Sequence, residues 1–197
     1  MTERFAEIDV CVTSDDDACF FEKAPAGTEM TCFRMAKGIS NADEYPAGAT
    51  LQMEDGYPGR IVPDVVGNTR GLLIVSGRVK EAIEAIQAAE TEYLPVAILN
   101  HKGRPAGEEG AGPHWIVNPI GTHDCADHEA SDIDWFEGDV VDVDELVLAP
   151  SKIDGAPALF RPAVEPRSYV ASGELLERLA SMGLRGLVVK NLEVARG

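Results

Sequence analysis

Apolar positions along the chain follow two spacings, every second residue and every third or fourth, and the change from one to the other predicts the order of strands and helices. Ile8, Val10 and Val12 alternate with polar or small neighbours, which predicts a half-buried strand ending at Thr13-Ser14-Asp15-Asp16-Asp17. Met30-Thr31-Cys32-Phe33-Arg34-Met35 predicts a second extended stretch. From Ala36 to Arg70 the chain is rich in Gly, Pro and Asp, and only Leu51-Gln52-Met53 and Ile61-Val62 suggest short strands. Leu72-Leu73-Ile74-Val75 then runs into Ser76, and Val79, Ile83 and Ile86 follow at helical spacing. That stripe predicts a surface helix over about Gly77–Ala89, with Ser76 capping its first amides.

Tyr93–Leu99 predicts an apolar strand that pairs as a hairpin with His114-Trp115-Ile116-Val117-Asn118, across a polar loop, 105–113, with a mobile tip. Near the C-terminus Tyr169-Val170-Ala171 leads into Ser172-Gly173 and a helix carrying Leu175, Leu176, Leu179 and Met182, closed by Gly183 just past its end. The two helical stretches match: Ser76-Gly77 falls on Ser172-Gly173, Val79 on Leu175, Ile83 on Leu179 and Ile86 on Met182. An apolar strand follows each, the second at Gly186-Leu187-Val188-Val189. The fold class predicted is therefore α+β, a mixed or mainly antiparallel sheet with two principal helices at about Gly77–Ala89 and Gly173–Met182. The matching units raise the expectation of two similar strand-helix-strand lobes.

Composition narrows the function. With 45% apolar residues in 197, the chain has material for a real core. The opening residues lack an apolar signal region, and aliphatic runs stop at about four residues, so a cytoplasmic chain that spans no membrane is expected. The four cysteines, Cys11, Cys19, Cys32 and Cys125, show no Cys-x-x-Cys spacing and read as reduced, mostly buried thiols. A net charge of −17 repels nucleic acid and anionic lipid and attracts basic partners. That charge is concentrated: between Arg104 and Lys152 there is no Lys or Arg, while twelve acids lie from Glu108 to Glu145.

Candidate chemistry is sparse. Metal-capable groups gather only at His123-Asp124-Cys125-Ala126-Asp127-His128-Glu129, and two histidines at i, i+5 share neither a helix face nor a strand face. A polar turn around a buried Cys125 accounts for the same residues, so no metal ligand and no cofactor is assigned. Phosphate-binding, dinucleotide-binding, zinc-protease and nucleophile-elbow motifs do not occur. Ser76 and Ser172, each before a glycine, are explained by helix capping. The feature left over is the acidic stretch holding Asp132, Asp134, Trp135, Phe136, Glu137, Asp139, Asp142 and Asp144. An acid run is usually a solvated face, but two aromatic residues ringed by charge suit a protein interface.

With these residues in view, the chain resembles the myxobacterial-type immunity domain, the eleventh immunity class of bacterial polymorphic-toxin systems. The likeness is carried by Val62-Pro63-Asp64-Val65-Val66-Gly67, by Gly71–Lys80, by Tyr93-Leu94-Pro95-Val96, and by Trp115–Pro119 with Asp124-Cys125-Ala126-Asp127. It continues through Leu159-Phe160-Arg161 and ends in Tyr169–Leu179 with Gly183–Leu187. It covers Val62 to Val189, while residues 1–60 match loosely and stand as an N-terminal lobe within one domain of 1–197. Gly77 departs from the pattern, which more often has Glu there. The resemblance implies a gene beside a toxin gene and a product that binds the toxin; it carries over no catalytic residue. The expected function is cytoplasmic immunity, a non-catalytic neutralisation of a cognate toxin with a basic surface, and the expected docking residues are the eight named above. Two alternatives remain, a metal-assisted hydrolase using His123, Asp124 and His128, and an adaptor or chaperone for a secreted effector.

Overall fold

A computed structural model of the protein describes residues 4–13, 15–57, 59–87, 89–106 and 113–196. In chain order its strands are β1 (Phe5–Ile8), β2 (Phe20–Phe21), β3 (Thr50–Gln52), β4 (Val65–Asn68), β5 (Leu73–Val75), β6 (Thr91–Leu99), β7 (His114–Pro119), β8 (Asp132–Phe136), β9 (Asp139–Glu145), β10 (Val147–Leu148), β11 (Leu159–Phe160), β12 (Val170–Ser172), β13 (Val189–Asn191) and β14 (Glu193–Val194). The α-helices are α1 (Cys32–Met35), α2 (Gly77–Glu84), α3 (Pro150–Ile153) and α4 (Gly173–Ser181). The fold is α+β and its sheets are mostly antiparallel.

The larger sheet has six strands in the order β2-β4-β5-β7-β6-β3. Its inner strands pair antiparallel, and each edge strand joins parallel, β2 to β4 and β3 to β6. The two edges return toward each other, since Glu54, just past β3, accepts from the backbone N–H groups of Glu22 and Lys23, just past β2. The smaller sheet has four strands in the order β11-β12-β1-β13. β1 therefore sits centrally between two C-terminal strands, β2 and β3 form the edges of the larger sheet and α1 packs on it, so residues 1–60 supply parts of both.

The expected helix stripes form the seam between the sheets. Val79, Ala82 and Ile83 of α2 and Leu175, Leu176 and Leu179 of α4 share one buried cluster with Val65, Leu73, Val75 and Val117 of the larger sheet and Ala6, Ile8 and Ala171 of the smaller one. Alternation along the strands sends the remaining side chains the other way. Val66, Ile74, Leu94, Val96 and Ile116 meet Met35 and Leu51 in a second cluster, and Phe5, Phe160 and Val170 meet Leu148 and Ile153 in a third. Each fully buried aliphatic side chain stabilises by about 1.5–3 kcal/mol, so these clusters hold the sheets in place.

Both helices start on a serine with the same extended backbone, φ −67° and ψ 162° at Ser76, φ −70° and ψ 159° at Ser172. Only Ser172 caps as expected, accepting from the Leu175 N–H at 3.4 Å. The Ser76 hydroxyl instead donates to Asp64 at 2.9 Å, because that carboxylate, also held by Arg78, is the stronger acceptor. Gly183 takes φ +60°, the left-handed geometry expected after α4.

Other expectations are corrected. Met30–Met35 is not extended: Thr31 and Cys32 both donate to the Thr28 carbonyl and begin the single turn of α1, which buries Cys32 and Met35 at i, i+3 and leaves Phe33 exposed. The first strand lies earlier than Ile8–Val12, at Phe5–Ile8, where both β12 and β13 pair with it; Val10 is buried outside the strand and Val12 is exposed. Ile61 makes only an isolated bridge, to Ala18. Helix α2 ends at Glu84, short of Ala89. The apolar strand expected at 186–189 shares only Val189 with β13, an exposed Val-Lys-Asn, and Gly186 instead turns at φ +80° against the Val65 carbonyl, where any Cβ would overlap that oxygen. Ser14, Ala88 and the expected loop tip at 107–112 lie outside the described residues. Among the described residues no helix is long and apolar enough to cross a membrane.

One polar group is buried at the junction of these parts. Arg161 is 1% exposed, and its guanidinium donates to the carbonyl oxygens of Met35, Ala36, Pro119 and Pro166 and to the Tyr169 hydroxyl. It also donates to Asn118, whose side-chain amide donates in turn to Glu92. Burial pushes the Glu92 carboxyl upward, but bonds from Ser40, Asn118 and the amides of Asn41 and Ala42 outweigh it and hold the group below its ordinary range.

Candidate interaction surface

The acidic stretch folds as a two-stranded hairpin, β8 and β9, that pairs with no other strand among the described residues. Its turn is Glu137-Gly138 at φ +53° and +93°, both left-handed, which matches the right-handed twist of a tight hairpin. The register sets Asp132 opposite Glu145, Ile133 opposite Val143, Asp134 opposite Asp142, Trp135 opposite Val140 and Phe136 opposite Asp139, with irregularities that leave Val141 and Asp144 unmatched.

Directly opposed residues share a face, and faces alternate along each strand. Ile133, Val143, Trp135 and Val140 therefore form one side, on which Ile133, Val140 and Val143 are half-buried. Asp132, Asp134, Phe136, Asp139, Asp142 and Glu145 form the other side, and all are exposed, Phe136 at 66%. Like charges directly opposite each other destabilise a sheet, so the pairs Asp132–Glu145 and Asp134–Asp142 weaken the hairpin wherever no cation relieves them. Among the described residues no acid from Asp127 to Glu145 takes part in an ion pair.

Five of the eight expected docking residues, Asp132, Asp134, Phe136, Asp139 and Asp142, thus converge on the exposed face, and Glu145 joins them although it was not expected. Trp135 lies on the opposite face, where its ring stands 5.6 Å from the His128 ring. Glu137 occupies the turn. Asp144 borders a crevice with Glu7, Glu165, Ser168 and Lys190. There burial, then the charges of Glu7 and Asp142, push the Glu165 carboxyl up against the charge of Lys190, while the Ser168 hydroxyl donates to Glu7 at 2.7 Å. Sequence alternation in Asp132-Ile133-Asp134-Trp135, with Glu137-Gly138 beyond it, was a usable signal for this hairpin.

The residues of the hydrolase alternative are drawn into other contacts. His123 Nε2 lies 2.7 Å from the Lys152 carbonyl, and its ring packs 5.0 Å from Phe160. Asp124 pairs with Lys152 at 3.0 Å, and His128 faces Trp135. Cys125 is buried, and burial, with Asp124 adding to it, pushes its thiol up to about 11. Among the described residues no group of three His, Cys, Asp or Glu side chains is placed to hold a metal. All four thiols are free; Cys19, Cys32 and Cys125 are buried and Cys11 is exposed.

Two adjoining clefts of about 740 and 770 Å³ open at the far end of β3 and β6 and share Met53, Asp55 and His101. Their walls mix Lys23, Arg60 and Arg104 with Glu29 and Glu54, and among the described lining residues Met53 is the one buried apolar side chain, a small apolar floor for a small molecule.

A comparison with curated proteins returns no match. The model of the immunity protein family Imm11 matches residues 14–194, a span that takes in the hairpin, the Arg161 junction and most of the N-terminal segment that resembled the family only loosely, and the chain belongs to that family.

Proposed function

We propose that this chain protects its producer by binding a cognate toxin tightly and without chemistry of its own, in the cytoplasm, through the exposed face of the β8–β9 hairpin. One observation carries the proposal: five carboxylates share an exposed face with Phe136, and among the described residues none of the five takes part in an ion pair. Lys or Arg side chains of a partner would relieve the Asp132–Glu145 and Asp134–Asp142 repulsion, so the charges that weaken the free hairpin become favourable in the complex. The family supplies the class of partner, a toxin, and the −17 charge supplies its sign, a protein with a basic surface and not a nucleic acid.

The test is binding kinetics with the toxin encoded beside this gene, at two ionic strengths. A single-sign face steers a basic partner, so association should be fast at low salt, toward ~10⁸ M⁻¹s⁻¹, and should slow as the screening length falls from ~30 Å at 0.01 M to ~8 Å at physiological strength. Neutralising Asp132, Asp134, Asp139 and Asp142 together should slow association in the same way. An association rate indifferent to both salt and these substitutions would leave the hairpin a solvated face. Toxin activity assayed in the same complex separates immunity from the adaptor alternative, in which the bound effector stays active.

A further inference from the structure

The hairpin offers a partner more than charge. Among the described residues, the backbone N–H and C=O groups of Asp132–Phe136 bond to nothing except β9. The backbone of Asp139–Glu145 has one bond outside the β8 pairing among the described residues, from the Val143 N–H to the Asp142 carboxylate, but Val143 and Asp144 border the crevice with Glu7 and Glu165, so β8 is the edge that borders no crevice with the rest of the protein. The two-residue turn makes Phe136 and Asp139 a pair that exchanges both backbone bonds, and the pattern alternates from there, so Ile133 and Trp135 direct their N–H and C=O groups outward. Open edges invite a further strand, and natural proteins protect them with charge. Here the guarding charges, Asp132 and Asp134, are of one sign, which rejects a second copy of this same acidic strand and admits a basic one.

We infer that the toxin binds by strand addition: an extended segment of the toxin, with Lys or Arg at alternate positions, pairs along the outer edge of β8. Main-chain bonds to Ile133 and Trp135 supply the pairing, and the cations of the added strand lie on the face of Asp132, Asp134 and Phe136, while its intervening apolar side chains extend the face of Ile133 and Trp135. This rests on docking through the acidic hairpin, and it specifies which groups of the hairpin the partner takes.

The experiment is residue-resolved amide hydrogen exchange of this protein, free and in complex with the toxin encoded beside its gene, together with the affinities of Ile133→Pro and Ile133→Ala. Proline at 133 removes an outward N–H without removing a bond to β9, and alanine removes the side chain alone. Strand addition predicts that the amides of Ile133 and Trp135 gain protection at least tenfold beyond any gain on β9, and that Ile133→Pro weakens binding at least tenfold more than Ile133→Ala. If the complex forms while both amides keep their free exchange rate, strand addition is overturned and docking by the acidic face alone remains. If the variant lacking Asp132, Asp134, Asp139 and Asp142 binds like the parent, the hairpin is not the docking surface and strand addition falls with it.

Discussion

The Arg161 guanidinium lies 4.2 Å from the centre of the Tyr169 ring and donates to the hydroxyl of that same tyrosine at 2.7 Å, while the hydroxyl donates to the Gly71 carbonyl and accepts from the Leu73 N–H. Two side chains thus join α1, β5 and β7 to the segment before β12, where no apolar contact could satisfy the buried carbonyl groups. Arginine alone has five donors in a fixed fork, so Arg161→Lys keeps the charge and loses most of the bonds. Each buried acceptor left unpaired costs about 1–3 kcal/mol. Arg161→Ala should therefore destabilise by at least ~3 kcal/mol and Arg161→Lys by nearly as much, read as urea midpoints; a lysine variant equal to the parent would show that only the charge matters.

Acid should loosen a different junction. Burial pushes the Asp64 carboxyl up, but bonds from Arg78, the Arg185 N–H and Ser76, with the Arg78 charge, outweigh it and hold the group at about 2. In the unfolded chain it returns to ~3.9, so the unfolded state binds the proton more readily. The stability this group contributes is complete above about pH 5 and is lost as pH falls through 4 toward 2. Arg78 is 50% exposed, so solvent screening reduces the effect to ~1–2 kcal/mol. Urea midpoints between pH 5 and 2 should fall more steeply for the parent than for Asp64→Asn, and parallel curves would remove Asp64 from the account.

What the sequence made legible was local. The stripes of α2 and α4, the β6–β7 pair and the Gly183 stop follow from short-range spacing, and they appear where the pattern put them except at the helix ends, where Ile86 and Met182 fall past α2 and α4 and are only partly buried. Arg161 was visible only as part of a family likeness, because its carbonyl partners on α1 stand more than a hundred positions away and carbonyl groups have no sequence signature. Ser76 was misread for the same reason, its partner Asp64 lying outside the helix it begins. In the candidate site, charge marked the right stretch, but the division into faces needed the register, which places Phe136 among the carboxylates and Trp135 against His128.

Leu179 tests the helix seam. It is 1% exposed in the cluster where α4 meets α2 and both sheets. Leu179→Ala should cost ~2–5 kcal/mol, a large share of the ~5–15 kcal/mol that holds a domain together. An unchanged denaturant midpoint would show that this face of α4 is not a core face.

The hairpin turn carries backbone strain that a substitution can release. Glu137 is the one non-glycine residue at positive φ among those described, and left-handed backbone costs an ordinary side chain about 1–2 kcal/mol. Asn before Gly is the favoured pair for this turn, so Glu137→Asn should stabilise the hairpin by ~0.5–1 kcal/mol. Slower amide exchange across the β8–β9 pairs is the expected reading, and faster exchange would show that the turn is not the strained point.

The two aromatic residues should separate in their effects on binding. Trp135 is 51% exposed, but it shares the half-buried face with Val140 and rests beside His128, so its ring holds the hairpin's shape. Phe136 is 66% exposed and, opposite Asp139 at the turn end of the carboxylate face, offers an apolar anchor beside the charges. Truncating such an anchor costs ~2 kcal/mol or more, about thirtyfold in affinity, and among variants of one interface the change falls mainly on dissociation. Phe136→Ala should therefore speed dissociation of the toxin by about thirtyfold with little change in association. Trp135→Ala should change dissociation less and instead raise amide exchange across the hairpin of the free protein. The reverse order, with Trp135 dominating dissociation, would place the toxin on the face that now lies toward the body and require the hairpin to lift when it binds.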